Sequence, residues 1–251
     1  MIFREMQNYK IIVQYDGTKY QGWQIQRSSD QTIQGKISAV LSKMADTQIE
    51  VVGSGRTDAG VHALGQVANF FMPEKFSENQ IINYLNEYLP EDIAVCKIQK
   101  VDERFHARFS CKSKTYRYRI FISNIPNVFE RKYYYQYLDA KIDVNLMKNA
   151  VKYLIGEHDF KSFCGNTHIK KSTIRTIFSI DIQSTENEII IDYSGDGFLQ
   201  NMVRILTGTL IEIGTKQILL DTLPQIITSK NRQLAGFTAP PQGLTLLKVE
   251  Y

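Results

Sequence analysis

The sequence predicts an α+β fold: two pseudo-symmetric, ferredoxin-like halves that supply a central antiparallel sheet flanked by helices. Two observations carry this. Short apolar runs and stripes at helical spacing alternate along the chain, and they spell strand, helix, strand, strand, helix, strand twice over. The 251 residues also suffice for two small domains packed together. The boundary is placed near Ser110, giving an N-terminal half, 1–110, and a C-terminal half, 111–251, with the active-site cleft expected between them.

In the first half, residues 10–15 form an apolar, β-branched run and read as a strand. Ile33, Ile37, Val40, Leu41 and Met44 then fall on one helical face, with Asp30 as the candidate cap. Residues 49–52 and 66–72 read as two strands. Ser77 and Gln80 form a capping box ahead of Ile81, Ile82, Leu85 and Leu89. Pro90 stops that helix, and 93–101 is the next strand.

The second half opens with a strand at 114–122. Val144, Met147, Val151 and Leu154 line a helix that starts after Asp143. Strands at 173–183 and 188–193 are joined by a polar turn at 185–187. Leu199, Met202, Val203, Leu206 and Leu210 mark another helix ending near Gly214. A short helix at 218–227 and a strand at 244–250 complete the half.

Composition excludes several function classes. No apolar run reaches the roughly 18 residues of a membrane span. Residues 1–10 include Arg4 and Glu5 and lack a secretory apolar core. The expectation is a soluble, cytoplasmic protein. Cys96, Cys111 and Cys164 are odd in number and lack C-x-x-C spacing. The 4 histidines show no ligand spacing either. Neither a disulfide framework nor a metal centre is expected.

Charge is uneven. Residues 1–110 hold 12 Lys+Arg against 13 Asp+Glu, and the remainder 18 against 13. Between Arg104 and Val128 no acid occurs, yet Arg104, Arg108, Lys112, Lys114, Arg117 and Arg119 do, interleaved with Phe105, Phe109, Tyr116, Tyr118 and Phe121. Cations beside flat aromatic faces suit RNA. An exposed strand of alternating charge would read the same way.

The chemically suggestive segment is Gly53-Ser54-Gly55-Arg56-Thr57-Asp58-Ala59-Gly60-Val61-His62. It lies between two predicted strands. It is not a P-loop, because Val61-His62 follows Gly60, and not a dinucleotide fingerprint, because Asp58 stands where glycine is needed. What remains is an arginine two residues before an aspartate. A carboxylate serves as a nucleophile without any cofactor if it is ionised and aimed, and a guanidinium keeps it ionised. A turn aspartate bonding local N–H groups is the other reading.

This segment resembles the G-R-T-D-A-G-V-H motif of the tRNA pseudouridine synthase A family. Tyr15-Asp16-Gly17-Thr18, Gly22-Trp23-Gln24, Arg104-Phe105-His106-Ala107-Arg108-Phe109, Lys114-Thr115-Tyr116-Arg117-Tyr118, Arg175-Thr176-Ile177, Asn201-Met202-Val203-Arg204 and Ala239-Pro240-Pro241-Gln242-Gly243-Leu244 resemble further family motifs, in family order. Gln200 departs from the aromatic residue of many members.

The resemblance implies an isomerase that turns uridine into pseudouridine at positions 38, 39 and 40 of the tRNA anticodon stem-loop. It implies a homodimer and no cofactor. By the same resemblance Asp58 is the nucleophile, Tyr116 stacks on the uracil, and Arg204 pairs with the aspartate. Arg56 holds the flipped nucleotide's space or its phosphate, and Leu244 closes the pocket beside the base.

Overall fold

The computed structural model describes residues 6–139 and 141–251. The sequence reading of residues 1–10 falls partly on 1–5, outside the described residues. The chain forms two compact units. One runs to Lys112 and takes in Leu246–Tyr251, and the other spans Ser113–Thr245.

The first unit comprises β1 (Met6–Tyr15), α1 (Ile33–Ala45), β2 (Val52–Gly53), β3 (His62–Pro73), α2 (Glu78–Tyr88) and β4 (Ile93–Lys100). β1 lies between β3 and β4, antiparallel to both, and β2 pairs with β3. The two-residue period of β1 turns Tyr9, Ile11 and Val13 into the core. There they join Ile33, Ile37 and Leu41 of α1 and Ile81 and Leu85 of α2, all fully buried.

Helix α2 has the expected capping box. The Ser77 side chain accepts from Gln80 N–H, and the Gln80 side chain accepts from Ser77 N–H. Helix α1 is capped by Thr32, not by Asp30: the Thr32 hydroxyl accepts from Gly35 N–H. A cap must directly precede the first helical residue to reach the third amide. Asp30 sits two positions too early.

The second unit comprises β5 (Ser113–Phe121), β6 (Tyr135–Gln136), α3 (Val144–Leu154), β7 (Gly156–Asp159), β8 (Ile174–Ser184), β9 (Glu188–Gly195), α4 (Met202–Gly214) and α5 (Leu223–Ser229). β5, β9, β8 and β7 are neighbours in that order and antiparallel, while β6 runs parallel beside β5. β6 and β7 have 2 and 4 residues, too short for a sequence period to announce. The expected helix at 218–227 resolves into a 3₁₀ turn, Leu220–Thr222, followed by α5 with Pro224 in its first turn. The last strand, β10 (Leu244–Glu250), passes from this unit into the first, where it lies beside β3.

β5 uses its two faces differently. Tyr116, Tyr118 and Ile120 are buried, whereas Arg117 and Arg119 point the other way. Arg117 forks onto Asp192, its register partner on β9, with both N–H···O distances at 2.8 Å. Arg119 donates to Glu188 and, at 3.0 Å, to Glu130. The acid-free basic run therefore spends two of its arginines on carboxylates distant in sequence. Arg104, Arg108 and Lys112 remain at the surface.

Helix α4 is buried along almost its whole length. Thr207 and Thr209 tolerate this because their hydroxyls donate to Val203 O and Ile205 O, four residues back.

Replacing Ser77 by Ala removes one half of the α2 capping box. It is expected to cost about 1 kcal/mol of stability, read as a lower urea midpoint with unchanged slope.

Candidate active site

The loop between β2 and β3 carries Arg56 and Asp58 away from any strand ladder, so its polar groups need other partners. Gln66, fully buried near the start of β3, supplies several. Its side-chain oxygen accepts from the Ser54 hydroxyl at 2.7 Å, and its amide donates to Gly55 O at 3.1 Å. Ser54 N–H donates to Val67 O at 2.8 Å. Thr57, also buried, bonds the Tyr15 hydroxyl at 2.8 Å and accepts from Trp23 N–H through its carbonyl at 3.1 Å. Beyond Asp58 the chain turns: Val61 N–H donates to Asp58 O, and Gly60, at φ +77°, donates to Tyr20 O.

Close backbone approach fixes the loop from the other side. A β-carbon on Gly22, whose φ is +92°, would stand 2.5 Å from Thr57 O and 3.1 Å from Asp58 C. A β-carbon on Gly53 would stand 2.5 Å from the indole of Trp23. Trp23 is only 1% exposed and forms the wall on which the loop rests. Within this frame Asp58 is half-buried and Arg56 is exposed.

Arg56 Nε donates to the Gln24 side-chain oxygen at 3.1 Å. The Gln24 amide donates to Gln34 at 2.7 Å, and the Gln34 amide donates to Val51 O at 2.7 Å. This relay from helix α1 aims the guanidinium. Gln34 and Gln66 were not singled out from the sequence. The available signal was a long polar side chain at a core-facing position.

In the second unit, Tyr116 lies on β5 opposite Tyr193 of β9 and is 7% exposed. Phe198 meets its ring edge-on, with centroids 5.3 Å apart and planes at 88°. Arg204 sits in the first turn of α4. Its Nε donates to Ala239 O at 2.7 Å and its Nη1 to the Asn201 side chain at 3.1 Å. Asn201 begins the helix in left-handed conformation, at φ +58°. Leu244 is 4% exposed and follows the turn Pro241–Gly243. That turn is pressed onto β5: the Tyr118 hydroxyl donates to Pro240 O at 2.7 Å, and a β-carbon on Gly243 would stand 2.7 Å from the Tyr118 ring. Burial pushes the Tyr118 phenol far above its usual range, so it stays a donor.

The five residues singled out from the sequence thus divide between the units. Asp58 and Arg56 share one braced loop of the first. Tyr116, Arg204 and Leu244 belong to the second, on a strand, a helix start and a strand start. Among the described residues no cluster of His, Cys, Asp or Glu is arranged to hold a metal ion, and no helix is long and apolar enough to cross a membrane.

A family profile described as tRNA pseudouridine synthase matches residues 11–110 and 150–251. The chain is 44% identical over 246 residues to tRNA pseudouridine synthase A 2 of Bacillus anthracis, covering 98% of this chain and 100% of that one. It is 46% identical, with the same coverage, to tRNA pseudouridine synthase A of Bacillus sp. (strain KSM-64). A solved structure titled "Crystal Structure of a Cbf5-Nop10-Gar1 Complex" is a distant likeness. It shows 9% identity and a TM-score of 0.35, over 85% of this chain and 44% of that one.

Gly22→Ala and Gly156→Ala separate the two demands that the loop makes. Both positions have positive φ, but a β-carbon at Gly156 meets nothing closer than 3.9 Å. Gly156→Ala is expected to cost backbone strain alone, about 1–3 kcal/mol. Gly22→Ala adds a collision with Thr57 and is expected to cost more. It should also raise hydrogen exchange at Val61, which Gly156→Ala leaves unchanged.

Proposed function

Because the chain belongs to the tRNA pseudouridine synthase family, an RNA-binding isomerase family, we propose that it converts uridine to pseudouridine at positions 38, 39 and 40 of the anticodon stem-loop, with Asp58 as nucleophile. The observation that carries the reading is the braced loop: a half-buried aspartate on main chain held by side chains and glycines rather than by a ladder, on a segment matching the family's G-R-T-D-A-G motif. A turn aspartate with only local work would not require a buried tryptophan wall and a buried glutamine beneath it.

The reaction breaks the N1–C1′ bond, turns the uracil over and forms a C5–C1′ bond. The C5 proton leaves and N1 takes one up, so no electron changes hands and no redox cofactor enters the balance. Three roles suit an ionised carboxylate here: addition to C1′, addition to C6, or removal of a sugar proton to give a glycal. All three need the target nucleotide out of its stack, at a cost of a few kcal/mol.

Tyr116 offers a stacking face that offsets this cost. By the family motif Arg204 takes the part of the arginine that pairs with the aspartate, and its Nε and Nη1 contacts to Ala239 and Asn201 hold its side chain. Arg56, exposed and steered by Gln24, holds the flipped nucleotide's space or its phosphate. Leu244 closes the apolar side of the pocket. The enzyme is taken to act in the cytoplasm as a homodimer.

Asp58→Asn is expected to abolish tritium release from C5-labelled tRNA while tRNA binding survives; residual turnover in that variant would remove the mechanism. Stacking is worth about 1–3 kcal/mol per base. Tyr116→Ala should therefore lower kcat/KM roughly tenfold to a hundredfold, whereas Tyr116→Phe should keep most of it. Equal rates in the three forms would dismiss the stacking role.

A further inference from the structure

The second unit carries a concavity of about 330 Å³ that shares no residue with the proposed catalytic set. It lies where the 3₁₀ turn Phe160–Phe163 follows β7, with the approach to β8 on one side and the end of α5 on the other. Lys161, Lys170, Lys171 and Lys230 line it, and the one acid in its lining is Asp159.

That acid is already engaged. Lys230 Nζ stands 2.8 Å from its carboxylate, the Thr173 hydroxyl donates to it, and Lys161 N–H donates to it at 3.2 Å. Burial pushes the Asp159 carboxyl up, but Lys230, Thr173 and the Lys161 amide outweigh burial and hold it below the usual carboxylate range. Three lysines are left facing the space with no further carboxylate in its wall.

We propose that this lysine-lined surface binds the sugar–phosphate backbone of the tRNA substrate outside the target nucleotide, an inference that rests on the function proposed above. Like charges gathered around one concavity repel one another, and a polyanion relieves that repulsion. The lysines are all exposed, so this is not a closed anion pocket. A single small phosphate gains little from solvated ammonium groups. A nucleic acid gains from several at once, because each neutralised phosphate releases condensed counterions. No aromatic or amide side chain is in the lining, so the surface positions the RNA without reading its bases.

The test uses the whole enzyme with Lys170→Gln and Lys171→Gln combined. Both side chains are exposed, so the fold should tolerate the change. A charge-matched control carries Lys148→Gln and Lys152→Gln on the exposed face of α3. The Kd for unmodified tRNA is measured over a series of KCl concentrations, with the rate of pseudouridine formation under saturating enzyme. The expected result is a Kd weakened roughly tenfold at low salt, a plot of log Kd against log[KCl] shallower by about 2, and an unchanged saturated rate. An unchanged Kd and slope, or the same change in the control, overturns the proposal. Inorganic phosphate binding to the wild type but not to the variant, with tRNA affinity unaltered, would assign the surface to a small anion and also overturn it. A wild type that forms no pseudouridine at all would instead sink the function on which the inference rests.

Discussion

A loop that lies outside any strand ladder has to satisfy its own amides and carbonyls by other means, and the first unit is organised around that constraint. Gln66 bonds both Ser54 and Gly55, Thr57 is clamped between Tyr15 and Trp23, and the glycines at 22 and 53 let backbone and indole come within contact. Each bond alone is worth little net free energy. Together they leave the loop few alternatives, because a displaced Ser54 or Thr57 would bury an unsatisfied group. The main chain around Asp58 is thereby set by the same core that makes the unit fold.

The second unit meets a different demand, which is to keep an aromatic strand buried while arginines alternate with its rings. β5 does so by pairing across the sheet: Arg117 with Asp192 and Arg119 with Glu188 and Glu130 occupy one face, and Tyr116, Tyr118 and Ile120 the other. The ion pairs are partly solvated and add little stability. They do fix the register that puts Tyr116 opposite Tyr193 and beside Phe198. The turn before β10 is held to Tyr118, so the start of that strand is tied to the same tyrosine ladder.

What the sequence disclosed was what local chemistry determines. The Ser77–Gln80 box, the Asp143 cap and the end of α4 at Gly214 are each settled within a few residues, and the structure has all three. Asp30 reads as the cap of α1 in the sequence; Thr32 is as good a residue for that position, and only the place of the first helical residue decides between them. The relay from Arg56 through Gln24 to Gln34 joins residues 32 and 10 positions apart and has no local signature. The basic run 104–128 read as uniformly available charge because the acids that neutralise Arg117 and Arg119 lie elsewhere in the chain. For the candidate site, motif order supplied Asp58, Tyr116 and Arg204 as candidates; the buried glutamines Gln34 and Gln66 that brace the loop emerged only from packing.

The final strand has a consequence for how this molecule comes into being. Leu246–Tyr251 belong to the unit that otherwise ends at Lys112, where the Tyr251 hydroxyl donates to Ala107 O and Glu250 O accepts from Lys112 N–H. A ribosome delivers that strand only after the whole intervening unit has been made. The half bearing Asp58 therefore waits, incomplete along one sheet edge, until the second unit has been synthesised, and its unpaired strand edge is exposed for that interval.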